Sequence, residues 1–269
     1  MFHLKHLCLI LFLLMIPGSQ ATKITVQPGQ SIQAAIDASH PGDIVEVLNG
    51  TYYENLNVTK RITLRGVRYP VVDASQKDGA IILFADGIAL EGFTITNASY
   101  SENLIGVSVR GSDCSLAANN VLGNDYGIVV AGSNNSTLEN NTASGSIIGI
   151  LLAKANNNQI SNNNATNNGG SFLLQSGGII LVYSSNNTLA GNVANDPYNG
   201  IYLRYSDSNR VEDNLAGSIS GNGISVLDSG NNLIKDNLAS DCYQNGVYLD
   251  NSSNNTVEGN RAQRNYNYG

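Results

Sequence analysis

From Gly106 onward the chain repeats itself. Short apolar runs led by glycine recur at Gly106, Gly127, Gly149, Gly178, Gly200, Gly223 and Gly246, at spacings of 21, 22, 29, 22, 23 and 23 residues. Fourteen residues after the last six of these glycines stand Asn141, Asn163, Asn192, Asn214, Asn237 and Asn260. Sixteen after them stand Ala143, Ala165, Ala194, Ala216, Ala239 and Ala262. The copy at Gly106 fits with its second half shifted by one residue, at Leu116 and Asn119. A fixed period of this length marks a solenoid, in which each repeat buries its apolar side only against its neighbours. The interval of 29 reads as an insertion in one coil, near GGSFLLQ at 169–175.

Within each repeat the apolar spacing is two. Ile201 and Leu203 fall on one side and Tyr202 on the other, which is strand alternation, and the β-branched bias of GIVV, GVSV and GISV agrees. Leu138, Ile160, Leu189, Val211, Ile234 and Val257 supply a second inward position, and the alanines a third where space is tight. Short strands at this period predict a parallel β-helix of about ten coils, with coils about 4.8 Å apart and a rod of roughly 45–50 Å. Identical residues then lie above one another. A column of Asn satisfies turn groups through its amide donor and acceptor and tolerates left-handed backbone. A serine column sits six after the glycine, at Ser112, Ser133, Ser184, Ser206, Ser229 and Ser252, interrupted by Ala155.

The first part of the chain reads as the start of the same rod. SIQAAIDA at 31–38 predicts the one convincing helix, with Ser31 as N-cap and Ile32, Ala35 and Ile36 as its apolar face. A solenoid must shield its terminal coil, so this helix is the expected lid. The C-terminal RNYNYG carries no matching lid, which implies a further domain or partner there. Lys5, the apolar run from Leu7 to Ile16, Pro17 and the small exit at Ala21 read as a secretory signal. The expected organisation is a signal at 1–21 and a β-helix domain at 22–269, with the N-terminal cap at 22–43 and regular repeats at 106–265. The apolar run is too short to span a bilayer as a helix.

Removing the signal takes the formal charge from −7 to −8 and leaves His40 as the only histidine. That charge argues against nucleic acid as a partner. Cys114 and Cys242 lie about five coils apart, some 24 Å, and are not expected to bridge.

The lid segment SIQAAIDASHPGDIVEVLNGTYYENLNVTKRITLRG (31–66) resembles the N-terminal cap of the pectin-lyase-like superfamily. The repeats resemble the NosD-type and carbohydrate-binding or sugar-hydrolase β-helix families. The resemblance covers nearly all of residues 24–265. It implies a right-handed, single-stranded parallel β-helix, exported to the periplasm, the cell surface or the medium. It also implies a polysaccharide or glycan partner, and copper if the NosD likeness extends to function.

The enzymes of that superfamily need groups that this chain lacks or alters. Neither the Gly-His-Gly nor the Arg-Ile-Lys tripeptide of the polygalacturonase-like hydrolases is present. The Asp-Pro-His-Glu-like motif of the epimerases stands here as Asp196-Pro197-Tyr198-Asn199. An altered lyase or epimerase would use Tyr198 or Tyr202 with Arg204. Copper wants His, Cys or Met, and those residues are nearly absent from the mature chain. Asp213 and Asp236 stack in adjacent coils and can hold calcium through oxygen ligands; with Lys235 and Glu212 they read equally as a surface charge ladder.

What remains is a surface. Positions two and four after the glycine should face outward and are apolar in the middle coils: Val129, Ala131, Leu151, Ala153, Ile180 and Val182. An exposed stripe of this kind calls for a cover, and Phe172, Leu173 and Leu174 of the insertion lie in the right coil to supply it. In later coils Tyr183, Tyr202, Arg204, Tyr205, Asp207, Tyr248 and Asp250 cluster, and rigid aromatic faces beside hydrogen-bonding groups suit sugar rings. The reading is a β-helix that binds carbohydrate or serves as a structural envelope module without catalysis. Ten Asn-x-Ser/Thr sequons, at Asn49, Asn57, Asn97, Asn134, Asn135, Asn140, Asn164, Asn186, Asn251 and Asn254, offer glycosylation sites if the host uses them.

Overall fold

The two-residue alternation does form strands, and the period stacks them. A computed structural model describes residues 21–75, 79–98, 105–169, 176–218 and 220–269. Residues 1–20 of the expected signal at 1–21, and the insertion residues 170–175 with Phe172, Leu173 and Leu174, lie outside the described residues. Every strand pairing is parallel. One face is an eleven-stranded sheet running from Lys23–Val26 to Thr256–Glu258, and a second is a nine-stranded sheet from Leu56–Val58 to Val247–Asp250. The third face is split into a five-stranded and a four-stranded sheet, which Asn164 joins by single bridges to Thr142 and Val193. In the second sheet Ile128, Ile150, Ile179, Ile201, Ile224 and Val247 stand in one register column. This is a right-handed parallel β-helix, with a core made of columns of identical position.

The Asn column forms a ladder. Asn141 Nδ2 donates to Asn163 Oδ1 at 3.0 Å and to the Leu116 carbonyl at 2.9 Å. The same pair of bonds recurs at Asn163, Asn192, Asn214 and Asn237, and Asn260 closes the file on the Ile234 carbonyl. Each Oδ1 also accepts the main-chain N–H of the Asn one coil earlier, as at Asn163 N to Asn192 Oδ1, 2.9 Å. Asn119 heads the ladder. All of these amides but Asn260 are buried, so their bonds satisfy turn groups that water does not reach. A second ladder runs through Asn158, Asn187, Asn209, Asn232 and Asn255, five residues before the first. The serines form a third: Ser184, Ser206 and Ser229 each donate their N–H to the serine hydroxyl of the next coil.

The leading glycines are there for space. A Cβ on Gly200 would lie 2.6 Å from the Gly223 carbonyl oxygen and 3.1 Å from the Ala216 Cβ. The glycine and alanine columns therefore specify each other, both packed too close for a side chain.

The lid is the helix Ile32–Ala38. Ser31 caps it by accepting from Ala34 N at 3.0 Å, and Ile32 and Ile36 are buried in the first coil. Glu54, one coil on, accepts from Ile32 N and Gln33 N at the helix start, while Lys60 Nζ donates to the Ile36, Asp37 and Ser39 carbonyls at its end. Acid at the positive end and base at the negative end oppose the helix dipole. Cys114 and Cys242 are free and buried. Among the described residues no helix is long and apolar enough to cross a membrane.

Candidate functional site

The outer face of the nine-stranded sheet carries a groove of about 850 Å³. Its strands come from the middle and late coils: Tyr126–Ala131, Ile148–Ala153, Gly177–Val182, Asn199–Arg204, Ile224–Leu227 and Val247–Asp250. The side chains two after each glycine point out of this face because those at one and three fill the core. In register they read Leu151, Ile180, Tyr202, Ser225 and Tyr248. Tyr202 and Tyr248 are thus two coils apart, roughly 9.6 Å along the sheet, with the small Ser225 between them. Leu151, Val182 and Leu227 continue the lining, and Ile148, Ile180 and Tyr202 form an apolar cluster separate from the core.

The exposed stripe expected from the sequence needs correcting. Ala131 is exposed and Leu151, Ala153 and Val182 are partly so, but Val129 and Ile180 are buried, at 6 % and 1 %. Ile180 packs with Ile148 and Tyr202, and Leu151, Ala153 and Val182 line a concave surface beside them.

The polar groups of the groove are mostly engaged. Asn222 Nδ2 donates to Ser225 Oγ at 3.1 Å, and Asn222 Oδ1 accepts from Asn245 N and Nδ2, both at 2.9 Å. Arg204 Nη2 donates to Tyr205 Oη at 3.2 Å, its guanidinium lies over the Tyr205 ring, and Nε forms an ion pair with Asp228 Oδ2 across 3.6 Å, too long for a hydrogen bond. The Tyr205 bond comes first among the contacts that raise the Arg204 pKa further. Burial pushes the Tyr202 hydroxyl up, so it stays protonated.

Of the sequence-predicted residues, Tyr202, Arg204 and Tyr248 line the groove. Tyr183 and Tyr205 sit at left-handed turn positions at the strand ends, φ 51° each, and stack with ring centroids 4.8 Å apart. Asp207 does not reach the groove; its carboxylate accepts from Gly230 N at 2.6 Å in a turn. Asp250 is exposed at the end of its strand and does not line the groove either.

Tyr198 also stays outside the groove, packed toward Gly169. Asp196, in the same turn, is the residue whose chemistry the sequence did not disclose. It is 2 % exposed, Oδ1 accepts from Asn168 N, and Oδ2 has no hydrogen-bond partner among the described residues. Burial pushes its carboxyl up to about 8. One coil earlier Asn168 Nδ2 donates to the Ala143 carbonyl at 3.0 Å; Asp196 Oδ2 stands in the equivalent place beside Gly178 and the Ala165 carbonyl. A protonated Asp196 is the acid that fits this rung, as a donor in place of an amide.

The donor set does not fit copper. His40 stands in the cap loop, Cys114 and Cys242 are buried in separate coils with their thiols pushed up, Cys242 to about 11, and no group of three His, Cys, Asp or Glu gathers among the described residues. Asp213 and Asp236 occupy left-handed turns, φ 57° and 52°, and the nearest cation, Lys235, pairs with Glu258 at 3.3 Å.

A family profile described as periplasmic copper-binding protein (NosD) matches residues 44–177 and 174–269. No curated protein sequence matches the chain. Among solved structures it is similar to the A-module of the Azotobacter vinelandii mannuronan C-5 epimerase AlgE6, with TM-score 0.64 and 19 % identity over 85 % of this chain and 81 % of that one. It is also similar to pectate lyase Pel9A, with TM-score 0.60 and 16 % identity over 92 % and 80 %. Against the Dettilon tailspike protein the TM-score is 0.59 at 17 % identity, and 81 % of this chain spans only 48 % of the tailspike. At these identities the likeness is one of fold.

Proposed function

This chain belongs to the NosD family, and from that premise we propose that it is an exported β-helix that binds glycan in the groove of its nine-stranded sheet. The observation that carries the reading is the mixed lining of this groove, apolar at the middle coils and polar at the late ones. Tyr248, 38 % exposed, offers an aromatic face to a sugar ring, and Arg204, whose Nε has no hydrogen-bond partner among the described residues, and Asn199 edge the groove with hydrogen-bonding groups. Preformed concave sites with a few placed polar groups suit such ligands. The epimerase and the lyase that share the fold are named for mannuronan and pectate, which supports a glycan partner.

Binding fits the groove better than turnover. Among the described residues no Asp, Glu, His, Lys or Cys lines it, so the paired acid and base of glycan-cleaving chemistry have no counterpart among them. The family's periplasmic description supports export, with 1–21 as the signal that directs it. Calorimetric titration with a glycan panel tests the reading. Tyr248→Ala and Arg204→Ala should each weaken the binding of whichever glycan binds about tenfold or more. Turnover of a glycan abolished by either change would replace binding with catalysis.

A further inference from the structure

We infer that the groove selects a neutral glycan bearing methyl groups, as O-acetyl or 6-deoxy substituents, and rejects uronates. This rests on the glycan reading above and narrows it to a ligand class. The argument begins with charge. Among the described residues Arg204 is the only cationic side chain lining the groove; its charge is paired with Asp228 across 3.6 Å and Nη2 donates to Tyr205 Oη, which leaves Nε as one N–H without a hydrogen-bond partner. The chain as a whole carries a formal charge of −7. A carboxylate on every sugar would lose hydration in this groove without finding a free cation, and burial of an unpaired charge is strongly unfavourable. The other polar groups of the groove, Asn199 and Asn222 among them, share hydrogen bonds with hydroxyls and supply no positive charge.

The second half of the argument is shape. Next to Tyr202 the lining turns aliphatic: Leu151 and Val182 keep part of their surface open, over the buried Ile180 and Ile148. Bare sugar hydroxyls gain nothing from such a wall and lose water to it. A methyl group projecting from a bound ring toward Leu151 and Val182 buries the apolar surface these two leave open. One methyl in an apolar pocket is worth about tenfold or more in discrimination.

Isothermal titration of the full chain against matched polysaccharides tests this. The probes are acetylated glucomannan, the same polymer after alkaline deacetylation, a rhamnose-rich polysaccharide, alginate and polygalacturonate. Tighter binding of the acetylated polymer than of its deacetylated partner, by about tenfold, identifies the ester as the recognised group. The same margin for the rhamnose-rich polymer over deacetylated glucomannan identifies the 6-deoxy carbon. In either case Val182→Thr and Leu151→Gln should shrink the margin. Equal binding of acetylated and deacetylated polymer without a 6-deoxy preference, or tighter binding of either uronate, overturns the inference and leaves the glycan reading standing. No binding to any of the five overturns both.

Discussion

Asn163 and Asn192 are 29 residues apart in the chain and one coil apart in space, with Asn163 Nδ2 donating to Asn192 Oδ1 at 3.0 Å. Elsewhere the same rung spans 22 or 23 residues. The ladder therefore runs through the coil that carries the insertion without losing its register. The Asn192 side chain makes four bonds at full burial: two accepted from Asn163, one donated to Asn214 Oδ1 and one to the Ile160 carbonyl. Asn192→Ala leaves several buried groups unpaired and should cost roughly 3 kcal/mol or more in urea unfolding. Asn260→Ala, at the partly exposed last rung, should cost about 1 kcal/mol.

Asp196 gives the fold a pH dependence. Its folded pKa, about 8, lies above the ordinary carboxylate value, so the folded state holds a proton that the unfolded chain releases. Its contribution is full below about pH 4, falls as pH rises, and is gone above about 8. Asp196→Asn supplies the amide that Asn168 uses one coil earlier. It should raise stability at pH 8 by roughly 1–3 kcal/mol and leave it nearly unchanged at pH 4, read from melting curves at the two pH values.

Gly200→Ala should be more costly than its size implies. The added methyl meets the Gly223 and Ala194 carbonyl oxygens at 2.6 and 2.7 Å and the Ala216 Cβ at 3.1 Å, all in or beside the core. Overpacking of this kind costs about 1–3 kcal/mol. Gly132→Ala meets nothing within 4 Å, but its φ is +67°, so its cost is the left-handed backbone alone, about 1–2 kcal/mol. Urea midpoints of the two variants give the order.

The rod was legible in the sequence because its period was. Ile201, Asn214 and Ala216 recur at fixed offsets from Gly200, and a stacked fold turns fixed offsets into columns. The second ladder, through Asn187 and Asn209, was hidden because Asn is so common in these turns that one more column reads as turn composition. Glu54 and Lys60 cap the lid from the next coil and occur once each, so no period marks them. The outward direction of Ile180 and Tyr202 could be read from alternation. Their burial could not, because it comes from packing across strands. Asp196 reads as a turn residue until its buried place beside the Ala165 carbonyl is seen.

Cross-linking across the insertion tests the stacked register most directly. Ser161 and Ala190 are paired on adjacent strands of the eleven-stranded sheet, and neighbouring parallel strands lie about 4.8 Å apart, within the Cα range of a disulfide. Ser161→Cys with Ala190→Cys should form a disulfide under mild oxidation, with Cys114 and Cys242 buried and unreactive. An unbroken period of 22 would instead place Ser161 beside Tyr183. A bond in Ser161→Cys with Tyr183→Cys, and none in the first pair, would contradict the stacked rod.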